Sequence, residues 1–273
     1  MRSLLESYYS QDGQVKTHLI EGLGQDVNRF RRVGLRNLVR KIAEIIRQSG
    51  GAQGVAINAT GGYKAQIALA AIIGQTLDVA VYYKHESFAE VIALPPMPVG
   101  FNFDLFGMEA DLLLALEEED LIPIELEISE EIAPLLEEIE QDGTRYASLS
   151  AMGQLFLEGY RLRYPPEKHL PAPAPPQEKK DPSFRDDHYP KGFKEYVTKV
   201  WQESPYIKTC HSNPYDGQKG IKDRTFRIDR HNGEIVGEYR DSSMGGRFAI
   251  LTSAQTQAQK LAVISDLSMR YKE

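Results

Sequence analysis

The sequence predicts an α/β protein: a mostly parallel sheet wrapped by helices over residues 1–107, a helical middle over 108–164, a Pro-rich linker over 165–188 and a small α+β module over 189–273. Three observations predict it. Near-continuous apolar runs alternate with segments of helical period in the first part, as in a sheet covered on both faces. The middle turns acidic and helical in pattern. A cluster of prolines then separates it from a module of opposite charge.

Val15 to Ile20 reads as a first strand, and a helix follows from about Phe30 to Gln48, with Leu35, Leu38, Val39, Ile42, Ile45 and Ile46 at helical spacing. Val55 to Ile57 is the next strand, Ala65 to Leu77 a helix, Val79 to Tyr83 a strand, and Val91 to Leu94 a short run stopped by Pro95-Pro96. From Met108 the pattern gives a helix around Leu112 to Leu116, an extended piece at Ile122 to Leu126, a helix over Ile132 to Ile139 and another over Leu149 to Leu162, an order that suits a winged-helix-like unit. The prolines between Pro165 and Pro182 predict a stiff extended linker. Beyond it come helix Phe193 to Gln202, an irregular stretch through Pro205 and Pro214, strands Arg224 to Ile228, Glu234 to Tyr239 and Arg247 to Thr252 in an antiparallel sheet, and helix Ala254 to Arg270.

Composition narrows the function classes. The single Cys210 excludes an internal disulfide framework, and the six His show no paired metal-ligand spacing, so no metal is expected. No apolar run approaches the roughly 20 residues of a membrane helix, and the N-terminus lacks a signal-peptide core, which predicts a cytoplasmic protein without membrane contact. From Tyr189 onward 14 Lys and Arg face 10 Asp and Glu, whereas 18 face 29 before it, together giving the net −7. No Lys or Arg lies between Lys84 and Arg145, so the positive C-terminal module is the better candidate for nucleic acid. The acidic middle has two conceivable counterparts, a basic external surface or the positive module of the same chain.

The chemistry-bearing motif is Asn58-Ala59-Thr60-Gly61-Gly62-Tyr63-Lys64, a glycine turn between a strand and a helix. Glycines permit close backbone approach, the helix start offers N–H groups, and Thr60 and Lys64 add a hydroxyl and a cation, which together suit a phosphate or phosphodiester. A tight turn with a solvated Lys is the plainer reading of the same residues.

The block Ile57 to Gln66, followed by Val81-Tyr82-Tyr83-Lys84-His85-Glu86-Ser87-Phe88 and Val91 to Val99, resembles CARF domains, the Rossmann-like sensors of type III CRISPR immunity, over residues 15–107. The resemblance implies that Asn58, Thr60, Gly61, Gly62 and Lys64 contact a cyclic oligoadenylate, cyclic tetra-adenylate foremost, across a homodimer. The family opens with a strand and a small-residue loop. Met1 to Gln14 holds no such element, so the expected fold lacks its first βα unit, through truncation or replacement by another segment.

Residues 189–273 resemble RelE-type toxins, ribosome-dependent mRNA endonucleases of small α+β fold, in helix-then-sheet order, positive charge and scattered Lys, Arg and Tyr. This implies a metal-independent endoribonuclease acting on mRNA at the ribosome, with Lys222, Arg224, Arg227, Tyr239 and Arg247 as candidate catalytic residues. Tyr271 is a substitute for the tyrosine, and His211 and His231 are candidate acid–base groups. Three functions follow as expectations: a messenger-gated ribonuclease, a ring nuclease that degrades the messenger at the turn, and a non-enzymatic sensor or transcription regulator.

Overall fold

The structure is a computed structural model that describes residues 2–9, 15–97, 100–124, 128–185, 188–213, 221 and 224–271. The N-terminal part begins with helix α1, Arg2–Tyr9. Residues 15–20 form no strand, contrary to expectation: Lys16 to Leu19 are exposed, Leu19 by 97%, and only Val15 and Ile20 are half-buried, so the run has no buried face to hold a strand. Helix α2, Val27–Arg29, is capped by the Asp26 carboxylate, which accepts the Arg29 N–H at 2.9 Å. It runs through a π-turn, Phe30–Gly34, into α3, Leu35–Gln48. Strand β1, Ala56–Asn58, helix α4, Lys64–Thr76, and strands β2, Ala80–Tyr83, and β3, Ile92–Leu94, follow.

These strands make a three-stranded sheet of order β1-β2-β3. Only β1 and β2 are parallel; β3 returns antiparallel, with Tyr82 opposite Ala93. Nor is the sheet covered on both faces. Val81 packs under α4, where a Cβ on Gly74 would meet its Cγ2 at 2.2 Å. Ala56, Asn58, Tyr82 and Ala93 share the opposite face and are exposed.

The middle segment holds α5, Asp104–Glu118, β4, Ile122–Pro123, a 3-10 turn at Ala133–Leu135, β5, Leu136–Gln141, β6, Thr144–Leu149, and α6, Ala151–Arg163. The helix expected over Ile132 to Ile139 is thus a 3-10 turn followed by the first part of β5, and β4, β6 and β5 form an antiparallel sheet in that order. Asp142 and Gly143 have φ of 52° and 74° and close the β5–β6 hairpin as a two-residue turn. Ser150 caps α6, its Oγ accepting the Gly153 N–H at 3.1 Å and donating to Pro134 O at 3.1 Å.

The Pro-rich segment is a strap. It forms a short helix, α7, Pro166–His169, and a 3-10 turn, Pro176–Glu178. After it come α8, Phe193–Glu203, β7, Ile207–Ser212, β8, Thr225–Ile228, β9, Ile235–Arg240, β10, Gly245–Thr252, and α9, Gln257–Tyr271. The four strands are antiparallel in the order β7-β10-β9-β8, and β7 occupies part of the stretch expected to be irregular. Prolines cannot donate to a ladder, but the residues between them can: Lys180 N–H bonds Lys208 O, Ser183 N–H bonds Cys210 O, and Ser212 N–H bonds Ser183 O, at 2.9 to 3.0 Å. The strap therefore covers the edge strand β7.

Two main cores result. One gathers Val39, Ile46, Leu69, Ile73, Val79 and Leu155. The other runs from Phe106 to Tyr271 and joins the middle segment to the C-terminal sheet without a break. Phe106 stacks on Tyr160 with centroids 3.7 Å apart, and the Tyr160 hydroxyl donates to Leu261 O. Helix α6 serves both cores, with Leu155 in the first and Phe156, Leu157 and Tyr160 in the second.

Candidate functional site: the β1–α4 turn and the C-terminal sheet

The turn sits where the sheet places it, at the carboxyl end of β1 and the start of α4. Its bracing is local. Asn58 Oδ1 accepts the Thr60 N–H at 3.1 Å and the Thr60 hydroxyl at 2.6 Å, an Asx turn closed twice. Thr60 Oγ1 in turn accepts the Lys84 N–H at 3.0 Å, and Ala59 N–H bonds Tyr82 O at 2.8 Å, which ties the turn to the end of β2. Asn58 and Thr60 thus shape the loop as much as they present groups to a ligand.

The two glycines differ. Gly62 has φ of +120°, a conformation other residues rarely take, whereas Gly61 needs no such φ and a Cβ built on it meets no atom within 4 Å. Gln66 Oε1 accepts the Tyr63 N–H at 2.9 Å, fixing the helix start. Lys64, in the first helical position, is exposed.

Beside the turn lies an open depression of about 430 Å³ lined by Ala56, Asn58, Thr60, Tyr82, Lys84 and Val91. Asn58 and Thr60 reach it; Gly61, Gly62 and Lys64 flank it without lining it. Tyr82 and Lys84 were not among the candidates. Their signal was alternation: Asn58 pairs with Tyr82, so Tyr82, and with it Lys84 two residues on, faces the same side. Lys84 Nζ donates to Ala89 O at 2.8 Å, which holds it at the rim.

The C-terminal candidates do not converge. Lys222 lies outside the described residues. Arg224 and Tyr239 fall on the sheet face under α8, the guanidinium 5.5 Å from the Tyr196 ring and 5.1 Å from that of Tyr239. Tyr239 is 8% exposed and its hydroxyl donates to Lys191 O at 2.8 Å. Tyr271 is 5% exposed beneath the same face, and burial pushes its phenol up.

Arg227 and Arg247 lie on the other face, joined by Glu238, whose Oε1 is 3.3 Å from Arg227 Nη2 and 2.6 Å from Arg247 Nε. Asp111 of α5 adds a second carboxyl there, which burial and the Glu238 charge hold above the usual carboxylate range. His211 shares this face, since it pairs with Ala249, two residues from Arg247. Its Nδ1 is 2.6 Å from Ser183 Oγ of the strap. His231 sits exposed in the β8–β9 turn.

Residues 2–97 match the family model described as CRISPR-associated protein (Cas_APE2256). The match covers the α3–β1–α4–β2–β3 unit with its turn and ends before the middle segment. It supports the CRISPR-associated part of the sequence reading and indicates a role in CRISPR defence for this portion. No curated protein matches the chain. Among the described residues no helix is long and apolar enough to cross a membrane.

Proposed function

We propose that the chain is a CRISPR defence effector that binds a cyclic oligoadenylate at the β1–α4 turn as a homodimer and cuts RNA with its C-terminal sheet module. The observation that carries the reading is the turn itself. A helix start, a backbone open at Gly61, an exposed Lys64 and an open depression reached by Asn58, Thr60 and Lys84 lie together in the segment that resembles CRISPR-associated proteins. The exposed sheet face of Ala56, Asn58, Tyr82 and Ala93 is available to a second copy, which would bring two turns to one ring of phosphodiesters.

For the cutting step the Arg227–Glu238–Arg247 cluster with His211 is the favoured set. Two guanidinium groups stabilise the charge that develops on the cleaved phosphate, the largest effect a preorganised polar site supplies. An imidazole on the same face takes or gives the proton. The test adds cyclic oligoadenylates to the purified protein with translating ribosomes and maps RNA 5′ ends. Messenger-dependent cuts, weakened at least about tenfold in Arg247→Gln, are expected, and their absence refutes the ribonuclease.

A second reading is a ring nuclease, favoured by the scatter of the C-terminal candidates over two faces while the groups of the turn stay together. Labelled cyclic tetra-adenylate, incubated with the protein alone, distinguishes it through linear products formed without ribosomes.

A further inference from the structure

A second cavity, of about 480 Å³, lies between α3 and the β5–β6 hairpin. Steps of three and four residues bring Arg29, Arg32, Arg36 and Arg40 to it along one helical face. Glu21 and Asp120 reach it too, the first 2.6 Å from Arg29 Nη2 and the second 3.4 Å from Arg36 Nη1. Four arginines against two carboxylates leave an excess of two positive charges. Glu137, 3.3 Å from Arg31 and 3.5 Å from Arg32, counts with Arg31 as one further pair and leaves that excess unchanged.

The arginine at the centre is poorly served. The Arg36 side chain is 5% exposed, yet its Nε and Nη2 have no hydrogen-bond partner among the described residues. Ser148, 4% exposed on the opposite wall, also has an unpartnered Oγ. Buried donors without partners are costly, and a buried charge more so. Burial and the like charge of Arg40 push the Arg36 guanidinium below its ordinary pKa. An anion in the cavity relieves both terms at once.

We propose that this cavity binds the dianionic phosphate group of a phosphate monoester, clamped by Arg36 and hydrogen-bonded by Ser148. The guanidinium fork matches two phosphate oxygens, and a monoester carries a charge of about −1.5 to −2 near neutral pH, which the excess of two offsets. The volume falls within the roughly 300–1,000 Å³ of small-molecule sites, so there is room for more than the phosphate. The site is separate from the β1–α4 turn and does not depend on the function proposed for it.

Thermal unfolding of the full chain tests this with inorganic phosphate, glycerol phosphate and, as a monoanionic diester control, dimethyl phosphate. Both dianions should raise the unfolding temperature saturably, by roughly 3–6 °C at about ten times Kd, while the diester does not. A rise with inorganic phosphate alone restricts the ligand to the free ion and overturns the monoester assignment. Arg36→Met should abolish the rise and unfold at a higher temperature than wild type in phosphate-free buffer, because it removes a buried guanidinium that has only the exposed Asp120 as counter-ion and two nitrogens without partners. Lys64→Ala should keep the full rise. Should Arg36→Met fail to fold, Arg32→Gln at a less buried position serves instead, with the same loss expected. No saturable rise in wild type, or an undiminished rise in the arginine variant that folds, overturns the proposal.

Discussion

Gly61 and Gly62 are neighbours under different constraints, and single substitutions separate them. A methyl at Gly61 points into open space, so Gly61→Ala should leave stability within about 0.5 kcal/mol of wild type in urea unfolding. In calorimetry with cyclic tetra-adenylate the same change should weaken binding at least about tenfold, because the methyl stands where a ligand approaches. Equal affinity would place the ligand elsewhere. Gly62→Ala should instead cost about 1–3 kcal/mol through its φ. A second residue-scale prediction concerns Asp241, whose carboxylate accepts N–H bonds from Met244, Ser243 and Lys191 and is held well below the usual carboxylate range by them. Its folded pKa lies below its unfolded value, so the stability it contributes is present above the ordinary Asp value of about 3.9 and is lost as pH falls below it. Asp241→Asn should therefore flatten the fall of unfolding temperature between about pH 5 and 2.

At the scale of elements, the β5–β6 hairpin shows how one pattern fits two structures. Ile132, Leu135, Leu136 and Ile139 recur at steps of three and one, as on a helix, while Asp142-Gly143 just beyond them is a hairpin-turn pair. The sheet won because Leu136 pairs with Leu149, both buried, and Ile139 with Tyr146, both half-buried, across strands. Helix α6 then packs so closely that a Cβ on Gly153 would sit 2.1 Å from Leu135 O. A backbone atom cannot swing aside, so Gly153→Ala should destabilise by about 2–3 kcal/mol or more, read as a lower urea midpoint at unchanged slope. No shift in midpoint would show that α6 has room to move.

At the scale of the molecule, opposite charges meet inside the chain. Glu109 of α5 pairs with Arg230, and Asp111 faces Arg227 and Glu238, so the acidic middle lies against the positive module. The strap adds a second tie by covering β7, and Cys210 beneath it is fully buried, its thiol pushed up to about 12 by burial. A thiol reagent should then label Cys210 only through opening of the sheet, on the order of a thousandfold more slowly in native buffer than in denaturant. Rapid native labelling would mean that the strap lifts away from β7 by itself.

Helix α3, the glycine turn with α4, helix α8 and the β8–β9 hairpin were legible in the sequence, because apolar period and glycine placement act over a few residues. Residue type alone also put a cation, Lys64, and an open backbone, Gly61, beside that turn. Strand β7, the exposed sheet face, the seat of the prolines on an edge, the shared core across α6 and the arginine-lined cavity were decided by the tertiary structure. Each of those depends on which distant segment covers which surface, and pairing of that kind leaves no period in the residues that take part.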